Sequence, residues 1–135
     1  MADTHSFPIR IYYEDTDHSG LVYHANYLKF MERAREHWLG IDVLRRMLNE
    51  DGHGFVVYKV EVTYKEGAQF ADELEVRTTG RCEGEYRLVL DQNVVRPGTG
   101  KVMVAGVLTL VCVDANRKLV PIPTFVRELV GAPVA

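Results

Sequence analysis

At Gly54 the hydrophobic period of this chain changes from near 3.6 residues to 2, and it stays at 2 for about sixty residues. Before the change, Tyr27, Phe30, Met31, Ala34 and Trp38 recur at helical spacing, which predicts a long helix from His24 to Leu39 stopped by Gly40. Those side chains share one arc, whereas Glu32 and Glu36 fall opposite it and are expected to face solvent. A shorter helix from Asp42 to Asn49 follows, with Asp42 as its expected N-cap. After the change, Val56, Tyr58, Val60, Val62 and Tyr64 alternate with Lys59, Glu61 and Thr63, the pattern of a strand with one face buried and one wet. Further runs carry Leu74, Val76 and Thr78, then Tyr86, Leu88, Leu90 and Val94. The run from Lys101 to Val113 is apolar on both faces and belongs mid-sheet or at a subunit interface. Turn-forming residues at Glu66-Gly67-Ala68, Glu83-Gly84 and Pro97-Gly98-Thr99-Gly100 predict a β-meander. A first strand from Phe7 to Tyr13 and a helical turn or two after Thr124 complete the order. The expectation is a single α+β domain over residues 1–135, one long helix packed on a five-stranded antiparallel sheet.

The charge balance narrows the function classes. A net charge of −3 and a pI near 5.9 argue against the broad basic footprint of a nucleic-acid binder. The start, MADTHSFPIR, lacks the pattern of a signal peptide, and no run approaches the roughly 20 apolar residues of a membrane helix, so a cytoplasmic location without membrane insertion is expected. Cys82 and Cys112 sit in apolar, strand-like stretches outside any CxxC pair and read as reduced core residues. The five histidines form no HxxxH or HExxH pair, so neither a metal site nor a cofactor is expected. Pro97-Gly-Thr-Gly-Lys101 is similar to the end of a phosphate-binding loop, but it lacks the GxxxxGK[ST] spacing and joins two strands. It is read as a hairpin turn.

The informative segment is Arg10 to Tyr27, RIYYEDTDHSGLVYHANY, between the first strand and the long helix. A carboxylate on a glycine-containing loop before a helix N-terminus is a workable hydrolytic arrangement, because free backbone N–H groups and the helix dipole polarise a carbonyl placed there. Asp17 can then attack that carbonyl or activate water against it. From spacing alone the alternative stays open that Asp15 and Asp17 cap turns and bind nothing.

The same segment resembles the N-terminal motif of the 4-hydroxybenzoyl-CoA thioesterase and YbgC-like branch of the hotdog-fold acyl-CoA thioesterases. Tyr13, Thr16, Asp17, Gly20, Val22, Tyr23, His24, Asn26 and Tyr27 stand where that pattern places them. The resemblance implies the hotdog fold and the hydrolysis of acyl-CoA thioesters to free acid and coenzyme A. It makes Asp17 the catalytic carboxylate, as nucleophile or general base, with Tyr13 and His24 lining the site and the His24 N–H polarising the thioester oxygen. Glu14 and Asp15 are expected to be solvated. Glu32 and Glu36 are poorly placed for the helix glutamate of a second hotdog class. Lys65, Arg87, Arg96 and Lys101 are available for the coenzyme A phosphates. Similar family members form homodimers whose sheets join edge to edge, with active sites at the interface, and also homotetramers; acyl carrier protein is a further partner the resemblance brings. Two alternatives stay open. One is an acyl-thioester hydratase or dehydratase using His24 with Asp17. The other is a non-enzymatic acyl- or protein-binding module linked to the cell envelope.

Overall fold

The helical period is realised as α1, Asn26–Leu39, which buries Tyr27, Phe30, Met31, Ala34 and Trp38 as expected and also buries Arg35. These observations come from a computed structural model that describes residues 4–132. The first strand, β1 (His5–Arg10), is shorter than expected. A 3₁₀ turn at Tyr13–Asp15 replaces its end, because the Asp15 carboxylate accepts the Tyr12 N–H at 2.8 Å and curls the chain. The second helix, α2 (Ile41–Arg46), begins on Gly40 at φ 101°, so Asp42 lies in its first turn and is not the cap. A π-helical turn at Met47–Asp51 extends it, and Gly52 ends that turn at φ 69°.

The remaining elements are β2 (Gly54–Tyr64), β3 (Glu73–Glu83), β4 (Arg87–Val95), β5 (Val102–Val113), β6 (Leu119–Val120) and α3 (Thr124–Leu129). All strand pairs are antiparallel, in the order β1-β3-β4-β5-β2. The two-residue β6 pairs with β5 and makes the sheet six-stranded. The expected layout of one long helix on an antiparallel sheet is therefore present, with a short strand added. The meander holds only for β3, β4 and β5. The residues at Glu66-Gly67-Ala68 do not form a hairpin, because β2 pairs with β5 at the far edge and β3 pairs with β1. The segment 65–72 crosses between the two and is held in passing: the Ala68 N–H donates to the Tyr27 hydroxyl at 3.2 Å, and Gln69 bridges to Leu21.

Burial follows from this order. β5 lies mid-sheet between β4 and β2 as expected; Val104, Leu108 and Leu110 are buried on one face, while the other stays partly open at Ala105, Val107, Thr109 and Val111. β2 is an edge strand, and its expected buried face is largely open, with Val56 47% and Tyr58 61% exposed. An irregularity between Val57 and Lys59 breaks the alternation, so Val60 pairs with Leu108 and Val62 with Gly106 while Val56 pairs with Val111. The apolar residues on the two sides of the irregularity thus point to different faces.

One core cluster gathers Tyr27, Phe30, Met31, Val76, Val104 and Leu108 beneath the first half of α1. A second packs Trp38, Leu88, Leu110, Ile122 and Val126 between α1 and α3. Helix and sheet touch closely at Gly106, where a Cβ would lie 2.9 Å from Met31 Cε and 3.0 Å from the Gln92 carbonyl oxygen. Beside it the buried Gln92 Nε2 donates to Met31 O at 2.8 Å and to Thr78 Oγ1 at 3.1 Å, tying the middle of α1 to two strands. Cys112 is buried and Cys82 half-buried, both as free thiols. Among the described residues no helix is long and apolar enough to cross a membrane.

Candidate active site

The motif loop is closed by its own backbone. Thr16 bridges to Val22, the Asp17 N–H donates to Leu21 O at 2.9 Å, and the Tyr23 N–H donates to Asp15 O at 2.9 Å. Gly20, at φ 85°, makes the reversal between the two arms. The arms place Asp17 on one side and the start of α1 on the other. The loop leans on the crossover segment at Gly67, where a Cβ would come within 2.8 Å of the Leu21 side chain and push it aside.

Asp17 is half-buried and held in one orientation. Its Oδ1 accepts the Ser19 N–H at 2.8 Å and the Ser19 hydroxyl at 2.5 Å. No hydrogen bond reaches Oδ2 among the described residues. The Ser19 hydroxyl, then the Ser19 amide, hold the carboxyl below the usual carboxylate range, with smaller help from His18 and His24. The group is therefore a carboxylate near neutrality, with one oxygen anchored and one available. The turn-capping role read from the sequence is therefore realised through Oδ1, and it leaves Oδ2 available.

His24 sits where the helix begins. The Asn26 N–H donates to Tyr23 O at 2.9 Å as the first helical turn forms, while no acceptor meets the His24 N–H among the described residues. The Tyr64 hydroxyl donates to His24 O at 3.0 Å and fixes this peptide from the end of β2. The His24 ring is exposed, 4.5 Å from the Tyr23 ring and 6.1 Å from that of Tyr64. A shallow cleft of about 270 Å³ lies here, lined by Leu21, His24, Tyr27, Tyr64, Lys65 and Gly67 among others.

Tyr13 shares the loop through its backbone, whose carbonyl accepts the Thr16 hydroxyl at 2.7 Å. Its ring is 79% exposed and meets Phe70 edge-on at 6.0 Å, so it does not enter the core. Asp15, expected to be solvated, is half-buried and structural: its carboxylate caps the 3₁₀ turn and its carbonyl accepts Asn26 Nδ2 at 2.9 Å. Of the four basic candidates, Lys101 is paired with Glu66 at 2.5 Å and Arg96 with Asp72 at 3.3 Å. Arg87 stacks over Tyr58 at 5.1 Å, and Lys65 alone lines the cleft beside His24.

Sequence reasoning missed Ser19, Tyr64 and Arg35. Arg35 was detectable, because it falls four residues after Met31 and four before Leu39, inside the apolar stripe. Glu36 is half-buried instead of solvent-facing, since it borders a second cavity under the C-terminal half of α1. Glu32 is exposed as expected.

Comparison with known proteins bears on the family and the fold. The thioesterase-like superfamily matches residues 12–130. The acyl-CoA thioester hydrolase YbgC of Escherichia coli O6:H1 is 39% identical over 109 residues, covering 80% of this chain and 81% of the relative. The acyl-CoA thioesterase YbgC of Haemophilus influenzae is 34% identical over 129 residues, covering 94% and 92%. In fold, a 1,4-dihydroxy-2-naphthoyl-CoA thioesterase from Synechocystis superposes with a TM-score of 0.86 at 20% identity, covering 96% of both chains. With the helix on its antiparallel sheet and the Tyr13–Tyr27 loop leading into α1, these matches establish that the chain belongs to the thioesterase-like superfamily and has the hotdog fold.

Proposed function

We propose that the protein hydrolyses acyl-CoA thioesters to free acid and coenzyme A, with Asp17 as nucleophile or general base and the His24 N–H polarising the thioester carbonyl. The observation that carries this is a carboxylate anchored by one oxygen on a loop that closes directly onto a helix N-terminus. Coenzyme A leaves as a thiolate, so the chemistry needs an attacking group and an oxyanion donor more than a strong general acid. Lys65 is the basic side chain best placed to meet a coenzyme A phosphate. The test is release of free thiol over a panel of acyl-CoA and acyl-carrier-protein thioesters, and absence of turnover on every member refutes the reading.

The ionisation of Asp17 adds a pH prediction. A lowered pKa keeps the active carboxylate ionised above that value, so activity is lost only as pH falls through it. Ser19→Ala removes the largest cause of the lowering. The acid limb of kcat/KM should then move up toward the ordinary carboxylate range, as read from a pH–rate profile; an unmoved limb contradicts the assignment.

Assembly belongs to the same reading. β2 leaves a long edge open, with Val56, Tyr58, Val60 and Tyr64 exposed along it. Two copies pairing their β2 edges about a twofold axis would continue the sheet and cover these residues. Val60→Glu should convert a dimer to a monomer by light scattering and lower activity on the order of 100-fold, because like charges meet across the axis. A native protein that is monomeric and fully active is incompatible with this arrangement.

A further inference from the structure

Met47 stands between two cavities. One, of about 390 Å³, lies under the C-terminal half of α1 against α2 and the start of β2, with Leu39, Leu44, Phe55 and Leu110 among its walls. The other, of about 450 Å³, lies between α2 and the junction of β6 with α3; Val43, Ile122 and Phe125 give it apolar walls, and Arg46, Glu50 and Asp51 also line it. Met47 and His53 border both spaces. Met47 fills the divide: it is only 7% exposed and packs in one cluster with Leu110 from the first side and Ile122 from the second. His53 is half-buried beside it, because Gly52 at φ 69° turns the chain back and the His53 N–H donates to Met47 O at 3.2 Å. The π-helical turn that begins at Met47 is a departure from regular helix of the kind that re-aims a side chain, and here it carries the methionine to the divide.

The divide matters because of where the first cavity opens. It lies at the Gly54 end of β2, whereas Tyr64, at the other end, holds the His24 peptide. With two β2 edges paired antiparallel about a twofold axis, the motif loop of the partner subunit meets the Gly54 end, so a chain entering from that loop runs inward toward Met47. We propose that Met47 is the length-limiting residue for the acyl chain: it ends the first cavity, and the cavity behind it is apolar space that a longer chain reaches only when this side chain is shortened. The inference deepens the dimeric thioesterase reading above and rests on it. The substrates it names are thioesters whose hydrocarbon chain stops at Met47. A methionine suits such a stop, since it fills irregular space without a strong donor or acceptor and can be cut back without orphaning a polar partner.

The test is kcat/KM by thiol release on the intact protein, over saturated acyl-CoA from butanoyl to hexadecanoyl, each below its micellar concentration. In the native protein kcat/KM should rise with chain length and then break off within the series. Met47→Ala should move the break to longer chains and raise the ratio of hexadecanoyl to the native optimum about 10-fold or more, the scale on which a pocket that is a few methylenes too short discriminates. Val43→Trp, which fills the cavity behind and leaves Met47 in place, should keep the native series when made alone and cancel the gain when added to Met47→Ala. A purely structural role for Met47 would lower all lengths alike and leave the break where it was, which overturns the proposal. A native series without a break overturns it too, as does a gain that survives Val43→Trp. If Met47→Ala does not fold, Met47→Val replaces it, with a rise in the ratio of at least about threefold expected; an unchanged ratio again overturns the proposal. Failure of the native protein to cleave any thioester is a different outcome, and sinks the thioesterase reading itself.

Discussion

Asp17→Asn should lower kcat on acyl-CoA about a thousandfold or more while KM stays within about threefold and the thermal transition is nearly unmoved. The amide keeps an oxygen that can accept from Ser19, so the turn at 2.8 and 2.5 Å survives and the loop keeps its shape. What is lost is the anionic second oxygen, which alone can attack a carbonyl or take a proton from water. On the proposed mechanism the His24 N–H still binds the carbonyl, so the effect should fall on kcat and not on substrate binding. Thiol release under saturating substrate, with KM and melting temperature measured on the same preparation, decides the matter. An Asp17→Asn protein retaining more than a tenth of native kcat removes Asp17 from the chemistry.

Gly106→Val is expected to be strongly destabilising. Its Cβ would lie 2.9 Å from Met31 Cε and 3.0 Å from the Gln92 carbonyl oxygen. A methionine methyl can swing away, but a strand carbonyl cannot, and valine adds two further methyl groups toward α1. Helix and strand must separate, which also strains the Gln92 to Met31 hydrogen bond. A loss of about 3 kcal/mol follows from overpacking of this kind, lowering the melting temperature by roughly 10 °C. Calorimetry on native protein and variant measures it, and an unshifted transition would mean that α1 is not seated on β5 at this point.

The residues that were legible from the chain are those whose role is set by near neighbours in sequence. Tyr27, Phe30, Met31, Ala34 and Trp38 declared the helix and its buried face through their spacing, and the structure buries all five. The anchored carboxylate of Asp17 was legible because its loop, its glycine and the helix after it are contiguous in one short segment. Arg35 shows the limit of that reasoning. Its spacing placed it in the stripe, but only the packing of α2 and the start of β2 around it reveals a guanidinium with an open nitrogen and a cavity before it.

Strand pairing shows the same limit at larger scale. Local alternation identified β2 as a strand but could not name its neighbour, and turn residues at Glu66-Gly67-Ala68 suggested β3 when the partner is β5. Alternation also assigned Val56, Tyr58, Val60, Val62 and Tyr64 to one buried face, whereas the irregularity after Val57 divides them between two. By itself, then, the sequence determined the type and order of the main elements and the composition of the Tyr13–Tyr27 loop, because these depend on side chains a few residues apart. The tertiary structure alone decided that β2 lies at an open edge, that Tyr64 holds the His24 peptide, and that Arg35 faces a cavity. Each of those depends on contacts between distant segments, selected by how all the apolar faces bury together.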